Sequence, residues 1–269
     1  MNRGDPLATA ARDYRWLLDR GYPDQGSIAL VGDRYRLNRD ERHMLYRGVS
    51  SASAAACRAA RLVTVLSSSS GASGTTATPT ERAAPPGPTS VLGIDGHNVL
   101  LTVANYLHGI PTFECDDGLI RDIGGIHGRV RDETMMHRAI NLFAESIASI
   151  MSVVSNTADP SVTSFIGDSA TTLVYLDAPV SHSREHAGYL RRALKEHSVS
   201  SEVAVVPSAD AALRAEATPH AASVTLLATS DSVLIDTTTV PVFDLARYVI
   251  EHHFSPAFES FRTILPLSK

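Results

Sequence analysis

Four aspartates in the second half of the chain each follow a short apolar run; they are Asp95, Asp177, Asp210 and Asp231. We predict that each run is a buried strand of a parallel sheet, whose carboxyl ends meet at one edge and bind ligands there. Carboxylates gathered at such an edge repel one another unless a cation lies among them. An all-oxygen ligand set favours Mg²⁺ or Mn²⁺. The pattern predicts a divalent-metal site with Asp95, Asp210 and Asp231 as ligands and catalytic residues.

Each of these aspartates also has a structural alternative, because Asp is common at strand ends, where it begins turns and caps helices. The structural alternative is favoured for Asp177, which precedes Ala178-Pro179. It is disfavoured for Asp95, because Gly96 is expected to leave the carboxylate exposed and Asn98 adds an amide that would bind metal or substrate. The joint pattern is more specific than any one of its members.

A second acidic segment runs from Glu114 to Asp122. We predict that Asp117 joins the metal ligands, that Asp122 assists catalysis and that Arg121 holds a phosphate. The alternative is a polar hairpin, because Asp117-Gly118 is a common pair in type I′ turns. Further contacts to a nucleic-acid backbone are predicted shortly after Asp177; they are Ser181, Ser183 and Arg184.

The two halves of the chain differ in charge. Residues 1–65 contain 11 Arg, no Lys and 7 acidic residues, a net charge of +4, whereas residues 91–269 contain 12 basic and 21 acidic residues, a net charge of −9. This asymmetry predicts that the first half contacts a polyanion and that the second concentrates cations. Arg34, Arg36 and Arg39 are the predicted phosphate contacts, since Arg offers a planar fork of donors. The alternatives are a solvated face and a packing surface.

Composition divides the chain into an Arg-rich helical domain at 1–66, a disordered Ser/Thr/Gly/Pro linker at 67–90 and an α/β domain at 91–269. Helical spacing predicts helices ending near Gly21 and spanning 24–35, 39–49 and 52–66, the third with a capping box from Asn38 and Glu41. Alternating strands and helices follow the linker and indicate a mostly parallel sheet flanked by helices. The predicted strands are 91–94, 112–113, 173–176, 203–206, 224–228, 233–235 and 240–243, and the predicted helices are 98–107, 134–154, 184–197, 209–217 and 245–253.

Several protein classes are excluded by composition. No apolar run approaches the roughly 20 residues that cross a bilayer, and no signal core follows the N-terminus. The two cysteines, Cys57 and Cys115, lie on opposite sides of the predicted linker, which gives little support to a disulfide framework. We therefore expect a cytoplasmic protein without membrane contact.

Two segments resemble a known nuclease fold. LGIDGHNVLLTV, residues 92–103, resembles the first strand and helix of PIN-like nucleases of the NYN branch, where an Asp-Gly-x-Asn motif opens the fold. LLATSDSVLID, residues 226–236, resembles their later strand with a Thr-x-Asp metal ligand. Residues 8–65 followed by this second half resemble the prokaryotic domain of unknown function 434 with a PIN-like partner. The segments Asp116–Asp122 and Asp177–Ser183 match patterns expected there.

The resemblance implies a PIN-like fold, Mg²⁺ or Mn²⁺, and ribonuclease activity. One departure is that the acidic residue of the mid-fold helix has no clear counterpart, unless Asp117, Asp122 or Asp210 fills that position. We predict a metal-dependent endoribonuclease whose partner is a structured or tRNA-like RNA, in a chain that forms a homo-oligomer. The alternative is a non-catalytic RNA- or protein-binding module that keeps the fold.

Two other enzyme classes fit less well. Ile94-Asp95-Gly96 superficially resembles the nucleophile loop of haloacid dehalogenase phosphatases, but those enzymes need a second Asp two residues later, and this chain has His97. A dinucleotide-binding Rossmann domain is disfavoured because no Gly-x-Gly-x-x-Gly follows the first strand.

Overall fold

The computed structural model describes residues 5–63, 91–124, 132–156, 171–218 and 224–267. The predicted linker at 67–90 lies outside these residues.

Four helices form the N-terminal region, and they are α1 (Pro6–Leu18), α2 (Asp24–Arg34), α3 (Arg39–Gly48) and α4 (Ala52–Ala59). The capping box is confirmed, since Asn38 Oδ1 accepts from the Glu41 N–H at 2.9 Å and Glu41 Oε2 accepts from the Asn38 N–H at 2.7 Å. The prediction that the fourth helix continues to Leu66 is wrong. The chain instead enters strand β1 (Leu62–Val63), where a β-branched residue is favoured.

Strand β1 and five strands of the second half of the chain form a six-stranded sheet with the order β1-β8-β7-β2-β5-β6, in which each pair of neighbouring strands is parallel. Its further strands are β2 (Val91–Asp95), β5 (Thr171–Asp177), β6 (Ser201–Val206), β7 (Leu226–Ala228) and β8 (Val242–Phe243). The longer helices of this half are α5 (Gly96–Leu107), α6 (Glu133–Asn156), α7 (Ser183–Glu196), α8 (Ala209–Glu216) and α10 (Leu245–His253). The predicted fold class is confirmed: a mostly parallel sheet flanked by helices, with a helical N-terminal region.

A small second sheet has the order β4-β3-β9 and consists of β3 (Thr112–Glu114), β4 (Ile120–Asp122) and β9 (Glu259–Ser260). Strands β3 and β4 form an antiparallel hairpin. A type I′ turn requires a positive φ at both central residues. Gly118 has a φ of 90°, but Asp117 does not have a positive φ, so the turn is not of type I′. The Gly118 N–H bonds the Cys115 carbonyl, and the Cys115 N–H bonds the Leu119 carbonyl, as in a three-residue hairpin loop that ends in a left-handed residue.

One predicted edge strand is wrong. Val233 to Ile235 lie in a short helix, α9 (Ser232–Asp236), rather than in a strand. The apolar run suggested a strand, but the Asp231 side chain accepts from the Leu234 N–H at 2.9 Å and so caps a helix at this point.

Two hydrophobic cores hold the molecule together. The larger packs α5, α6, α7 and α10 on the sheet, with Ile94, Phe143 and Leu190 fully buried. The second joins the N-terminal helices to the small sheet, because it contains Tyr14 and Leu45 together with Phe113, Cys115 and Phe261. The helical region therefore shares its core with residues of the second half. Within the described ranges, no helix is long and apolar enough to cross a membrane.

Candidate metal centre

The candidate site lies where the order of the strands reverses. From β2 the sheet continues through β5 and β6 on one side, and the chain then returns to place β7 and β8 on the other. In open α/β sheets, ligands bind in the crevice at the carboxyl ends beside such a reversal. Here the Thr229 hydroxyl donates to Asp95 Oδ2 at 3.2 Å, and Asn98 Oδ1 accepts from the Ser230 N–H at 2.8 Å and from its hydroxyl at 3.0 Å. The crevice between β2 and β7 thus holds two of the predicted site residues.

Asp95 ends β2 and caps α5, accepting from the Asn98 N–H at 3.3 Å. The expectation that Gly96 leaves the carboxylate exposed is wrong, because Asp95 is only 4% exposed. Gly96 has a different role. A Cβ there would lie 2.6 Å from Leu176 Cδ2 and 2.9 Å from the Tyr175 carbonyl oxygen. The glycine is what allows the start of α5 to approach β5.

Asp95, Asp177, Asp210 and Asp231 interact electrostatically, and we call them the Asp cluster. Burial raises the pKa of Asp95 well above its ordinary value, and the charges of Asp210, Asp177 and Asp231 raise it further. Burial, then Asp231 and Asp177, raises the pKa of Asp210 to about 6. The Asp95 side chain acts in the opposite direction on Asp210 and lowers its pKa, but it does not outweigh the other causes. The structure therefore brings the four aspartates predicted at the strand ends close enough to interact.

Asp177 combines a structural role with membership of the cluster. Its Oδ1 accepts from the Ala209 N–H at 2.8 Å at the start of α8, and its own N–H donates to Nδ1 of the buried His97 at 2.9 Å. Burial acts to raise the pKa of Asp177, but His97 and the Ala209 N–H outweigh burial and lower it. The negative charge of Asp177 in turn contributes to the raised pKa values of Asp95 and Asp210.

Asp231 ends the Thr229-Ser230-Asp231 segment that follows β7. Its Oδ1 caps α9, as described above, and its N–H donates to the Thr229 hydroxyl at 3.0 Å. The helix cap uses only Oδ1 of Asp231, which leaves Oδ2 outside the cap. The residue is half-buried.

The donor chemistry of the cluster suits a hard cation, although the side chains are not arranged around one. Among the described residues, no group of three or more His, Cys, Asp or Glu side chains is placed so that it would hold a metal ion. The Asp cluster offers only oxygen ligands, and the repulsion among its carboxylates contributes to the raised pKa values of Asp95 and Asp210. A divalent cation among these carboxylates would relieve the same repulsion. The residues therefore fit Mg²⁺ or Mn²⁺ by type and by charge.

The structure does not bring Asp117 into the cluster. Asp117 is fully buried and paired with Arg121, whose Nη2 lies 2.9 Å from Oδ2, and with Arg58 at 3.6 Å. Burial acts to raise the pKa of Asp117, but Arg121 outweighs it and lowers the pKa. Arg121 in turn donates to the Ser230 carbonyl at 2.9 Å, so this pair supports the residue that binds Asn98.

Asp122 is likewise occupied elsewhere. Its oxygens accept from the Thr102 hydroxyl at 2.9 Å, from Asn105 Nδ2 at 2.9 Å and from the Gly124 N–H at 2.7 Å. These bonds tie the small sheet to α5, and they satisfy the carboxylate without a metal.

The other residues predicted to contact nucleic acid take no part in the hydrogen bonds described above for the Asp cluster. Ser183 is buried and begins α7, and its hydroxyl donates to the Ala178 carbonyl at 3.4 Å. Ser181 and Arg184 are exposed beside it. The three arginines of the helical region that were predicted to contact phosphate, Arg34, Arg36 and Arg39, are exposed, and Arg34 Nε lies 3.7 Å from Asp13 Oδ2.

A cleft of about 690 Å³ leads to the Asp cluster, and the sequence did not indicate it. Its sheet side is lined by Asn98, Arg121, Ser230, Asp231, Ser232 and Val233. Its helical side includes Tyr22 after α1, Tyr46 and Arg47 on α3, and Arg58 on α4. We call this the helix–sheet cleft. It was missed because it forms only when the N-terminal helices pack beside the carboxyl edge of the sheet.

Asp244 is a fifth strand-end aspartate that the sequence reasoning overlooked. It follows β8, caps α10 and accepts from the Ile120 N–H at 2.7 Å. Burial raises its pKa to about 6. The signal that would have found it is the same one used for Asp95, a carboxylate directly after an apolar strand.

Comparison with known proteins places this fold in a family. The family described as "Domain of unknown function (DUF5616)" matches residues 88–248, which is more than half of the chain. The chain belongs to the DUF5616 family. Ahead of the DUF5616 region, "Protein of unknown function (DUF434)" matches residues 6–61, which confirms the resemblance to domain of unknown function 434.

One relative matches this chain over almost the whole length of both proteins. "Uncharacterized protein MJ0935" of Methanocaldococcus jannaschii is 25% identical over 247 residues, which cover 91% of this chain and 97% of the relative. No solved structure matches the chain. The Asp cluster and the Asn98–Ser230 contact lie within the DUF5616 match, and the helical wall of the cleft lies within the DUF434 match.

Proposed function

We propose that the protein is a Mg²⁺- or Mn²⁺-dependent ribonuclease with a PIN-like catalytic region. The observation that carries this proposal is the Asp cluster itself, in which aspartates from four strand ends interact at the carboxyl edge of a parallel sheet. Its position beside the strand-order reversal is where such folds bind ligands. The resemblance of residues 92–103 and 226–236 to PIN-like nucleases supplies the reaction class.

The roles follow from the contacts. Asp95, Asp210 and Asp231 hold the cation, with Asp177 adding negative charge beside them. The cation, when bound, supplies charge neutralisation at the phosphate and a lowered pKa for the attacking water. Asn98 Oδ1 is committed to the Ser230 N–H, so its amide Nδ2 is the group left to donate to a phosphate oxygen. Asp117, through Arg121, positions Ser230.

The test is cleavage of a fluorescently labelled RNA in Mn²⁺ by the wild type and by Asp95→Asn. Asn is as good a helix cap as Asp, so the substitution keeps α5 capped while removing the charge. We expect loss of activity of about 100-fold or more, since even an outer-shell partner of a metal costs about 10- to 100-fold. EDTA is expected to abolish cleavage.

Asp40→Asn is the matched control, because Asp40 is an exposed aspartate on α3, away from the cluster. It is expected to cleave like the wild type. Equal cleavage by Asp95→Asn and the wild type, or no cleavage by the wild type of any RNA in a varied panel, contradicts the ribonuclease proposal.

A second candidate function is a non-catalytic RNA- or protein-binding module. The observation that favours it is that, among the described residues, no group of three or more His, Cys, Asp or Glu side chains is placed to hold a metal ion. The two functions differ in metal binding: the module is expected to bind RNA equally well in EDTA and in Mn²⁺ and to leave it intact.

A further inference from the structure

We propose that the helix–sheet cleft is a binding channel for single-stranded RNA, in which Tyr22 and Tyr46 stack on unpaired bases and Arg47 contacts a phosphate. The inference rests on the proposed ribonuclease function and names the surface that would guide the substrate. It assigns to the N-terminal helices a direct role in recognition at a site formed by both halves of the chain.

The position of the cleft supports this assignment. At its sheet side lie Asn98, Ser230 and Asp231, so a strand lying in the cleft passes directly beside the Asp cluster. Its volume of about 690 Å³ falls within the roughly 300–1,000 Å³ typical of ligand sites. The opposite wall belongs to α3 and to the turn between α1 and α2.

Exposed aromatic and apolar side chains gather in this cleft. Among the described residues, the large hydrophobic side chains that remain exposed are Trp16, Tyr22, Leu30, Tyr46, Tyr189 and Val233. Three of the six line the cleft, namely Tyr22 at 55%, Tyr46 at 36% and Val233 at 61% exposure. Exposed aromatic rings beside a phosphate-binding group are what proteins use to stack unpaired bases, because every base presents a π-face.

Charge in the cleft singles out Arg47. Arg58 is committed to a two-point contact with Asp236, at 2.8 and 2.6 Å, and Arg121 is committed to Asp117 and to the Ser230 carbonyl. No ion pair within the described residues includes Arg47, which is half-buried in the wall. Its guanidinium is therefore the cation of the cleft that is not already paired with a carboxylate.

Besides Asp231, two further acidic residues line the cleft, and they limit where a phosphate can lie. Asp116 is 1% exposed and paired with Arg15, so its charge is offset. Asp24 is exposed in the first turn of α2, and it disfavours a phosphate next to Tyr22. The phosphate contact is therefore placed at Arg47, with Tyr22 serving a base.

The test measures binding of a fluorescein-labelled, single-stranded 10-nucleotide RNA in EDTA by fluorescence anisotropy. Tyr46→Ala is expected to weaken binding about 5- to 150-fold, the range that corresponds to the loss of one base-stacking contact. Arg47→Ala is expected to weaken it and to reduce the slope of log K against log salt by about 0.7. A duplex RNA of the same sequence is expected to bind more weakly, because its bases are paired and inaccessible to the rings.

Matched controls lie outside the cleft. Tyr189→Ala removes an aromatic ring of similar exposure on α7, and Arg138→Ala removes an exposed guanidinium from α6. Both are expected to bind RNA within about twofold of the wild type. Tyr46→Phe keeps a stacking ring and is expected to restore binding, which separates stacking from a loss of folding.

The outcomes distinguish this inference from the proposed function. Binding in EDTA does not require a cation, so Asp95→Asn is expected to bind RNA and fail to cleave it. Cleft variants that bind as tightly as Tyr189→Ala and Arg138→Ala overturn the channel, even if the wild type cleaves RNA. Duplex binding as tight as single-strand binding also overturns it.

Discussion

Asp95 and Asp210 illustrate how burial and neighbouring carboxylates change the pKa values of a site. Burial and the charges of the neighbouring carboxylates raise the pKa values of both. Their raised pKa values distinguish them from Asp117, whose pKa is lowered because Arg121 neutralises it. The same residue type thus serves two purposes, and the difference lies in the neighbouring charge.

The raised pKa of Asp210 predicts a pH dependence of stability in metal-free buffer. Between the ordinary value of 3.8 and about 6, the folded protein holds a proton on Asp210 that the unfolded chain has released. The folded state binds more protons in this window, so this group's contribution to stability falls as the pH rises through it. Asp210→Asn removes that contribution. Urea unfolding at pH 5 and pH 7 is expected to show a smaller loss of stability on raising the pH in the variant, by about 1 kcal/mol after allowance for solvent screening.

Asp40→Asn is the control for this measurement and is expected to follow the wild type at both pH values. Identical pH dependence in the wild type and Asp210→Asn would contradict the raised pKa of Asp210. The comparison between variants is needed because other groups also make stability depend on pH. The buried carboxyl of Asp244 has a pKa of about 6 and acts in the same direction as Asp210. His186 and His253 have pKa values lowered mainly by burial, so their contributions to stability change with pH in the opposite direction.

Residue types alone predicted the strand-end aspartates but not the roles of the acidic hairpin. Asp95 and Asp231 were identifiable because position after a buried strand fixes which edge of a sheet a residue reaches. The hydrogen bonds of Asp122 could not be predicted, because its partners, Thr102 and Asn105, are on α5 and meet it only in the folded chain. The neutralisation of Asp117 by Arg58 depends on α4 packing nearby, and no spacing in the sequence records that contact.

At the level of elements, hydrophobic periodicity predicted the helices and the buried strands, whereas caps decided where they end. The capping box at Asn38 was identifiable because both partners lie within four residues. The short helix α9 was mistaken for a strand because Val233-Leu234-Ile235 has strand composition, while the cap from Asp231 favours a helix. Strand β1 was missed because only its pairing with β8 stabilises two residues as a strand.

The junction between β2 and α5 gives an element-scale prediction at Gly96. A methyl group there meets Leu176 Cδ2 at 2.6 Å and the Tyr175 carbonyl oxygen at 2.9 Å, and a backbone oxygen cannot rotate away. Gly96→Ala is expected to push α5 away from β5, displace Asp95 and Asn98, and lower stability by about 1–3 kcal/mol. Urea unfolding and RNA cleavage measure the two effects.

Gly188→Ala is the matched control, since Gly188 lies in α7 and an added Cβ meets nothing within 4 Å. It is expected to raise stability by up to about 1 kcal/mol through helix propensity and to leave cleavage unchanged. Gly96→Ala with the stability and activity of the wild type would show that the close approach is not needed.

At the scale of the molecule, the helical and α/β regions share contacts that place their surfaces around one cleft. Strand β1 pairs with β8, and the buried Arg15–Asp116 ion pair joins α1 to the hairpin loop. Breaking such a buried pair costs about 3–5 kcal/mol, because it leaves an uncompensated charge. The sequence predicted the two regions and their opposite charges, but it did not predict that they meet beside the Asp cluster.

The central claim, that the Asp cluster binds a divalent cation, is tested most directly by calorimetric titration of the metal-free protein with Mn²⁺. The wild type and Asp40→Asn are expected to bind Mn²⁺ with release of protons, because metal ligands must be ionised and the pKa values of Asp95 and Asp210 are raised. Asp95→Asn is expected to lose this binding. Absence of Mn²⁺ binding by the wild type, or binding by Asp95→Asn equal to that of the wild type, would contradict the account.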